Sequence, residues 1–131
     1  MPFADLADAD RCPCLSGETY GLCCAPFHRG QAGAPTAERL MRSRYSAFVA
    51  GDVDYLLRSW HPSTRPASLE LDPELGWYRL DILATRHGGL LDHDGVVEFR
   101  AFYRSADGRG EQHEVSRFVR DGRAWTYLDA A

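Results

Sequence analysis

The sequence predicts an α+β fold in which helices pack on one face of a curved antiparallel sheet, with a small N-terminal metal-binding module attached. Three observations predict it. All four cysteines of the 131-residue chain fall between Cys12 and Cys24. Apolar residues recur at helical spacing from Ala37 to Trp60, and from Trp77 to Leu128 the period changes to two. Residues 1–30 are assigned to the module and residues 31–131 to the helix-and-sheet domain, because a chain of this length builds one core and not two.

The module comes first. Cys12 and Cys14 form one short pair and Cys23 and Cys24 another, with Pro13 stiffening the first and Ser16, Gly17 and Gly21 letting the chain fold back between them. Four thiolates on two such pairs match what a tetrahedral zinc ion needs, so Zn2+ is the expected cofactor. His28 is a spare donor that could replace Cys24, since adjacent residues do not readily swing onto one ion. Disulfides suit a secreted mini-protein, of which there is no other sign. A redox role for Cys23 and Cys24 needs a basic neighbourhood, and only His28 and Arg29 are near.

Ala25 to Pro35 reads as a linker rich in Pro, Gly and Ala. Thr36 then caps a helix with Glu38 in its first turn and Gly51 at its end. Its apolar stripe holds Leu40, Met41, Tyr45 and Phe48, with Arg44 inside the stripe and Arg39, Arg42, Ser43 and Ser46 outside. A guanidinium facing a core calls for a carboxylate partner. Asp52 starts a second helix with Val53, Leu56, Leu57 and Trp60 on its apolar face, and His61-Pro62 stops it. Ser63 to Gly76 is a loop.

In the strands, Tyr78, Leu80, Ile82 and Ala84 form one inward set, and Val97, Phe99, Ala101 and Tyr103 the next. Asp121-Gly122 is a hairpin signal that pairs Phe118 with Trp125, Ser116 with Tyr127 and Glu114 with Asp129. The resulting face is an aromatic wall ending in a serine and two carboxylates. It suits the lining of a half-open pocket for a small apolar ligand, with Glu114 as the expected partner of Arg44 and Glu98 as the second choice.

All 15 basic residues are Arg, and the net charge of −4 argues against a DNA-binding protein. Arg11, Arg39 and Arg42 could form a small RNA-facing patch, although a solvated helix face explains them as well. No stretch has the ~20 apolar residues of a membrane span, and Met1 to Arg11 lacks the pattern of a signal peptide. A cytoplasmic protein with reduced thiols is expected.

The pattern from Cys12 through Ser16-Gly17 to Cys23-Cys24 resembles the SEC-C motif found at the C-terminus of the SecA translocation motor. That resemblance implies a zinc-bound module that docks to a protein partner such as the SecB chaperone, or to the ribosome. The run Leu40 to Phe48, then Asp54-Tyr55-Leu56, Trp60-His61-Pro62 and Ser116-Arg117-Phe118, is similar to the bacterial YchJ family, which carries no assigned activity. The order of elements resembles the nuclear transport factor 2-like cone, a bent sheet wrapped around the first helix. Such cones often pair through the outer sheet face, so a homodimer is a further expectation.

In a cone, Arg44, Tyr45, Trp60, His61, Phe99, Glu114, Ser116, Phe118, Trp125 and Tyr127 are the expected pocket residues. The leading functional reading is a zinc-binding adapter. The alternative is a small pocket enzyme of hydratase, isomerase or hydrolase type, with His61 and Glu114 as acid and base and His113 nearby.

Overall fold

The computed structural model describes residues 3–131. Met1 and Pro2, at the start of the segment read as lacking a signal peptide, lie outside the described residues. The elements are a 3-10 turn at Tyr20–Leu22, α1 (Ala25–His28), α2 (Ala37–Ala50), α3 (Val53–Arg58), and the strands β1 (Gly76–His87), β2 (Asp94–Ser105), β3 (Gly108–Asp121) and β4 (Ala124–Ala130). The strands form one open antiparallel sheet in the order β1-β2-β3-β4.

The helix signals are placed where the sequence has them. The Thr36 hydroxyl accepts from the Arg39 amide at 3.1 Å, and Gly51 closes α2 in the left-handed region at φ 71°. The Asp52 carboxylate caps α3 through the Tyr55 amide. That helix stops at Arg58, earlier than its apolar pattern suggests, where the Ser59 carbonyl and the His61 amide turn to the main chain of Tyr127 in β4 at 2.9 and 2.8 Å. Two corrections concern the region before it. Ala25 to Pro35 is not all linker, since its first four residues are α1. Ser43 and Ser46 are fully buried, not solvent-facing, because the cysteine module lies over their side of α2. Arg39 and Arg42 hold that module in place. Arg39 stacks over the Phe27 ring at 5.2 Å, and Arg42 donates to the Cys14 carbonyl at 2.6 Å, so the solvated-face reading of these two residues gives way. One continuous core runs from Cys12 through Leu40 and Tyr45 to Phe118 and Trp125.

The sheet departs from simple alternation at three points. Register shifts at Tyr78 and Leu83 bend β1. The first turns Trp77 inward, against Phe48 at 6.2 Å, and leaves Tyr78 37 % exposed, the reverse of the expected order. The hairpin between β3 and β4 turns on Gly122-Arg123, so that Asp121 pairs with Ala124 and Phe118 with Tyr127. Only Gly122 has a positive φ there, 67°, which suits a turn with Gly at its first central position. The pairing differs from the expected one by a step that preserves the faces, so Phe118, Trp125 and Tyr127 still share one. A further shift at Leu128 does change a face. It sets Asp129 opposite Arg117, where the two form a two-toothed ion pair on the outer surface, away from Glu114.

Candidate functional site

The cysteine cluster is built by two tight turns. The Cys12 amide donates to the Glu18 carbonyl at 3.0 Å, and Leu15 at φ 65° and Gly17 at φ 97° reverse the chain between them. The 3-10 turn then delivers Cys23, and Cys24 leads into α1. All four sulfur atoms lie within 4.8 Å of one another, and all four residues are buried. The separations are 3.6 Å from Cys14 Sγ to Cys23 Sγ and 3.9 Å from Cys23 Sγ to Cys24 Sγ. These are far beyond a disulfide bond of about 2.05 Å. They match the sulfur–sulfur edge, about 3.8 Å, of a tetrahedral site with metal–sulfur bonds of about 2.3 Å.

The electrostatics of the cluster agree with a cation. Hydrogen bonds from the Cys12 and Cys24 thiols hold Cys14 well below the usual thiol range, whereas hydrogen bonds to Cys12 and Cys14 push the Cys24 thiol up. Burial pushes Cys23 up to about 11. Thiolates this close repel one another, and a divalent ion between them favours the ionised form of its ligands. Two hydroxyls lie on the sulfurs, Ser16 Oγ at 3.1 Å from Cys23 and Ser46 Oγ at 3.5 Å from Cys12.

His28 is not a spare ligand. Its Nε2 donates to the Ser43 carbonyl at 2.8 Å and its Nδ1 accepts from the Tyr20 hydroxyl at 2.7 Å, so both nitrogens are used. Burial lowers its pKa and keeps the ring neutral.

The second feature is a cavity of about 220 Å³ between α2 and the inner face of the sheet. Of the residues expected there, Arg44, Tyr45, Trp60, Phe99, Glu114, Ser116 and Tyr127 line it. His61, Phe118 and Trp125 do not. Phe118 is fully buried in the core, and Trp125 donates its indole N–H to the Pro35 carbonyl, anchoring the chain ahead of α2. His61 turns its Nδ1 to the Ser63 hydroxyl. His113 lies on the outer face, bonded to Glu98 at 2.6 Å. The structure thus does not bring an imidazole to Glu114.

Nor does it pair Arg44 with either expected carboxylate. Arg44 Nη1 donates to the Leu56 carbonyl and to Ser59 Oγ at 2.8 and 2.7 Å, and its guanidinium stacks over Tyr127 and Trp60 at 4.7 and 5.1 Å. Burial pulls it down to about 10, which leaves it charged at neutral pH. Glu114 instead accepts from Gln112, Ser116 and Tyr127. Sequence reasoning did not place Leu69, Trp77 or Gln112 at the cavity. The loop carrying Leu69 has no periodicity to read, and the shift at Tyr78 that turns Trp77 inward leaves no mark in the pattern.

Among the described residues no helix is long and apolar enough to cross a membrane. Residues 36–130 match the family model described as the middle, nuclear transport factor 2-like domain of YchJ, and residues 9–26 match the SEC-C motif. A UPF0225 protein of Streptomyces coelicolor is 56 % identical over 118 residues, covering 90 % of this chain and 92 % of that protein. Another, from Deinococcus radiodurans, is 48 % identical, covering 92 % and 88 %. The solution structure of a SEC-C motif containing protein from Rhodopseudomonas palustris superposes with a TM-score of 0.79 at 30 % identity, over 92 % of this chain and 96 % of that one. The crystal structure of a SEC-C motif containing protein from Psychrobacter arcticus gives 0.76 at 30 % identity, over 93 % and 82 %. With a cone-type domain behind a buried quartet of cysteines, and with relatives matching along nearly its whole length, this chain belongs to the YchJ (UPF0225) family.

Proposed function

We propose that the protein is a cytoplasmic zinc-binding adapter, in which Cys12, Cys14, Cys23 and Cys24 hold one Zn2+ that fixes the N-terminal loop to α2. The observation that carries this reading is the set of four buried sulfurs at tetrahedral spacing. An all-sulfur, closed donor set belongs to structural zinc and leaves no open position for a substrate. The ion supplies folding energy, and the cysteines contribute no chemistry beyond holding it.

The same loop offers a docking surface. Leu15 and Leu22 are 48 % and 73 % exposed beside the buried sulfurs, and Leu15 is held there in a backbone conformation that costs a non-glycine residue roughly 1–2 kcal/mol. A protein or ribosomal partner that covers the two leucines fits the resemblance to SEC-C modules. The cavity under α2 is the second binding place, for a small ligand with an apolar body. Acid/base catalysis loses its support, since His61 does not face the cavity that Glu114 lines.

Elemental mass spectrometry on untagged protein, with thiol titration before and after chelation, tests the metal. About one zinc per chain, with thiols that appear only after chelation, is the expected result. Four freely titrating thiols and no metal would remove the module. Ribosome co-sedimentation tests the docking: it should be lost in Leu22→Glu at unchanged metal content, and retention in that variant refutes it.

A further inference from the structure

The cavity contains a positive charge that no carboxylate among the described residues touches; Glu114 acts on it only through space. Arg44 is 4 % exposed, and among the described residues only its Nη1 meets an acceptor, the Leu56 carbonyl and the Ser59 hydroxyl. None of the ion pairs among the described residues includes it. Its aromatic neighbours Tyr127 and Trp60 each return about 2 kcal/mol when desolvated, which offsets part of the several kcal/mol that desolvating an ion costs but supplies no acceptor for its remaining N–H groups. The edge left over, Nε with Nη2, is the one with which Arg117 grips both oxygens of Asp129 elsewhere in this protein. That edge matches a carboxylate in two parallel bonds.

Glu114 does not fill this role. Its Oε1 accepts from Gln112 at 3.2 Å, and its Oε2 from Tyr127 at 3.1 Å and from Ser116, three neutral donors that hold it where it is. Tyr127 stands between the two charges, its ring against the guanidinium and its hydroxyl on the carboxylate. The remaining walls, among them Met41, Phe48, Leu69, Trp77 and Phe99, are apolar. The volume of about 220 Å³ lies below the roughly 300–1,000 Å³ of sites for drug-sized ligands, which sets an upper limit on the occupant.

We infer that this cavity binds a small organic monocarboxylate, whose carboxylate accepts from the free edge of Arg44 while an apolar body lies against Phe48, Trp77 and Phe99. The inference rests on the cavity half of the proposed function and is independent of the metal half.

Benzoate and its neutral counterpart benzamide, titrated into the full metal-loaded chain and followed by NMR at the Trp60 and Trp77 indoles, test it without any variant. Benzoate should saturate, and benzamide should bind about tenfold more weakly, since a charge-assisted pair is lost. Arg44→Met should abolish the preference. Glu114→Gln should tighten benzoate several-fold by removing a like charge, a change opposite in sign to any damage to the fold. Equal or tighter binding of benzamide overturns the carboxylate and leaves the cavity as a binding place. Binding of neither probe overturns both. Undiminished benzoate binding in a folded Arg44→Met chain overturns the role of Arg44. Should Arg44→Met not fold, Arg44→Lys, which keeps the charge and loses the two-bond edge, replaces it, and undiminished benzoate binding in that variant overturns the role of the edge.

Discussion

His28 donates from Nε2 to the main-chain carbonyl of Ser43 at 2.8 Å, a hydrogen bond that ties the helix following the cysteines to the middle of α2. The ring is also held by the Tyr20 hydroxyl and lies 4.7 Å from the Tyr55 ring. His28 is therefore a strut between module and cone. His28→Ala should cost about 2–3 kcal/mol, from two part-buried hydrogen bonds and lost packing, and should leave the metal content unchanged. Denaturant unfolding and elemental analysis of the variant check both halves; loss of the metal at unchanged stability would instead make His28 a ligand.

The same strut gives the fold a pH dependence whose sign follows from burial. Desolvation lowers the His28 pKa below its ordinary value of about 6.5. The unfolded chain then takes up a proton at pH values where the folded chain does not. The contribution is complete above about pH 6.5 and is lost as pH falls through the folded value. Metal release in acid also destabilises the chain, so the measurement is a difference. The melting temperature of the metal-loaded protein should fall more steeply below about pH 6.5 than that of His28→Gln. Equal slopes would remove His28 as the titrating group.

Two buried tyrosines make an opposed pair. The Tyr55 hydroxyl is bonded to Ser43 Oγ at 2.6 Å, and the Ser43 hydroxyl donates to the Leu40 carbonyl at 2.7 Å. The Tyr45 hydroxyl is buried with no partner among the described residues. Tyr55→Phe should cost about 1 kcal/mol, whereas Tyr45→Phe should be neutral or stabilise by up to about 1 kcal/mol, because it removes a desolvated group that gains nothing. Chemical denaturation of the two variants side by side checks the contrast. A loss of stability in Tyr45→Phe would reveal a partner for that hydroxyl.

Local signals carried most of the fold. Thr36, Gly51 and Asp52 each act through their own neighbours, and the cysteines lie close enough in sequence for the turns between them to bring the sulfurs together. What the sequence hid depends on distant surfaces. Ser43 and Ser46 look like solvent-facing residues because nothing in α2 announces that the cysteine module will cover them. Trp77 and Asp129 change faces at irregularities of one residue, and such shifts preserve the local alternation on either side. Arg44 was legible as a misplaced charge. Its acceptors were not, since a main-chain carbonyl at the end of α3 and the Ser59 hydroxyl leave no acidic residue to look for.

Ser46 belongs to α2 and yet lies on Cys12 Sγ at 3.5 Å, so the cysteine cluster and the cone touch through a side chain. Ser16 lies on Cys23 Sγ at 3.1 Å but belongs to the loop itself. Hydroxyls that bond to a ligating sulfur hold it in place and spread its charge, and outer-shell partners of this kind are worth about 10–100-fold in metal affinity. Competition with a chelator should show a loss of that order in both Ser46→Ala and Ser16→Ala. The two should differ in how far metal removal is felt. In the unmodified chain the continuous core carries the loss from Cys12 to Trp125, so chelation should lower the melting temperature read from tryptophan fluorescence along with that of the whole chain. Ser46→Ala should reduce this shift more than Ser16→Ala does, because of the two serines it is Ser46 that sits on the helix on which the sheet packs. Equal reductions would mean that the coupling runs through α1 and His28 instead.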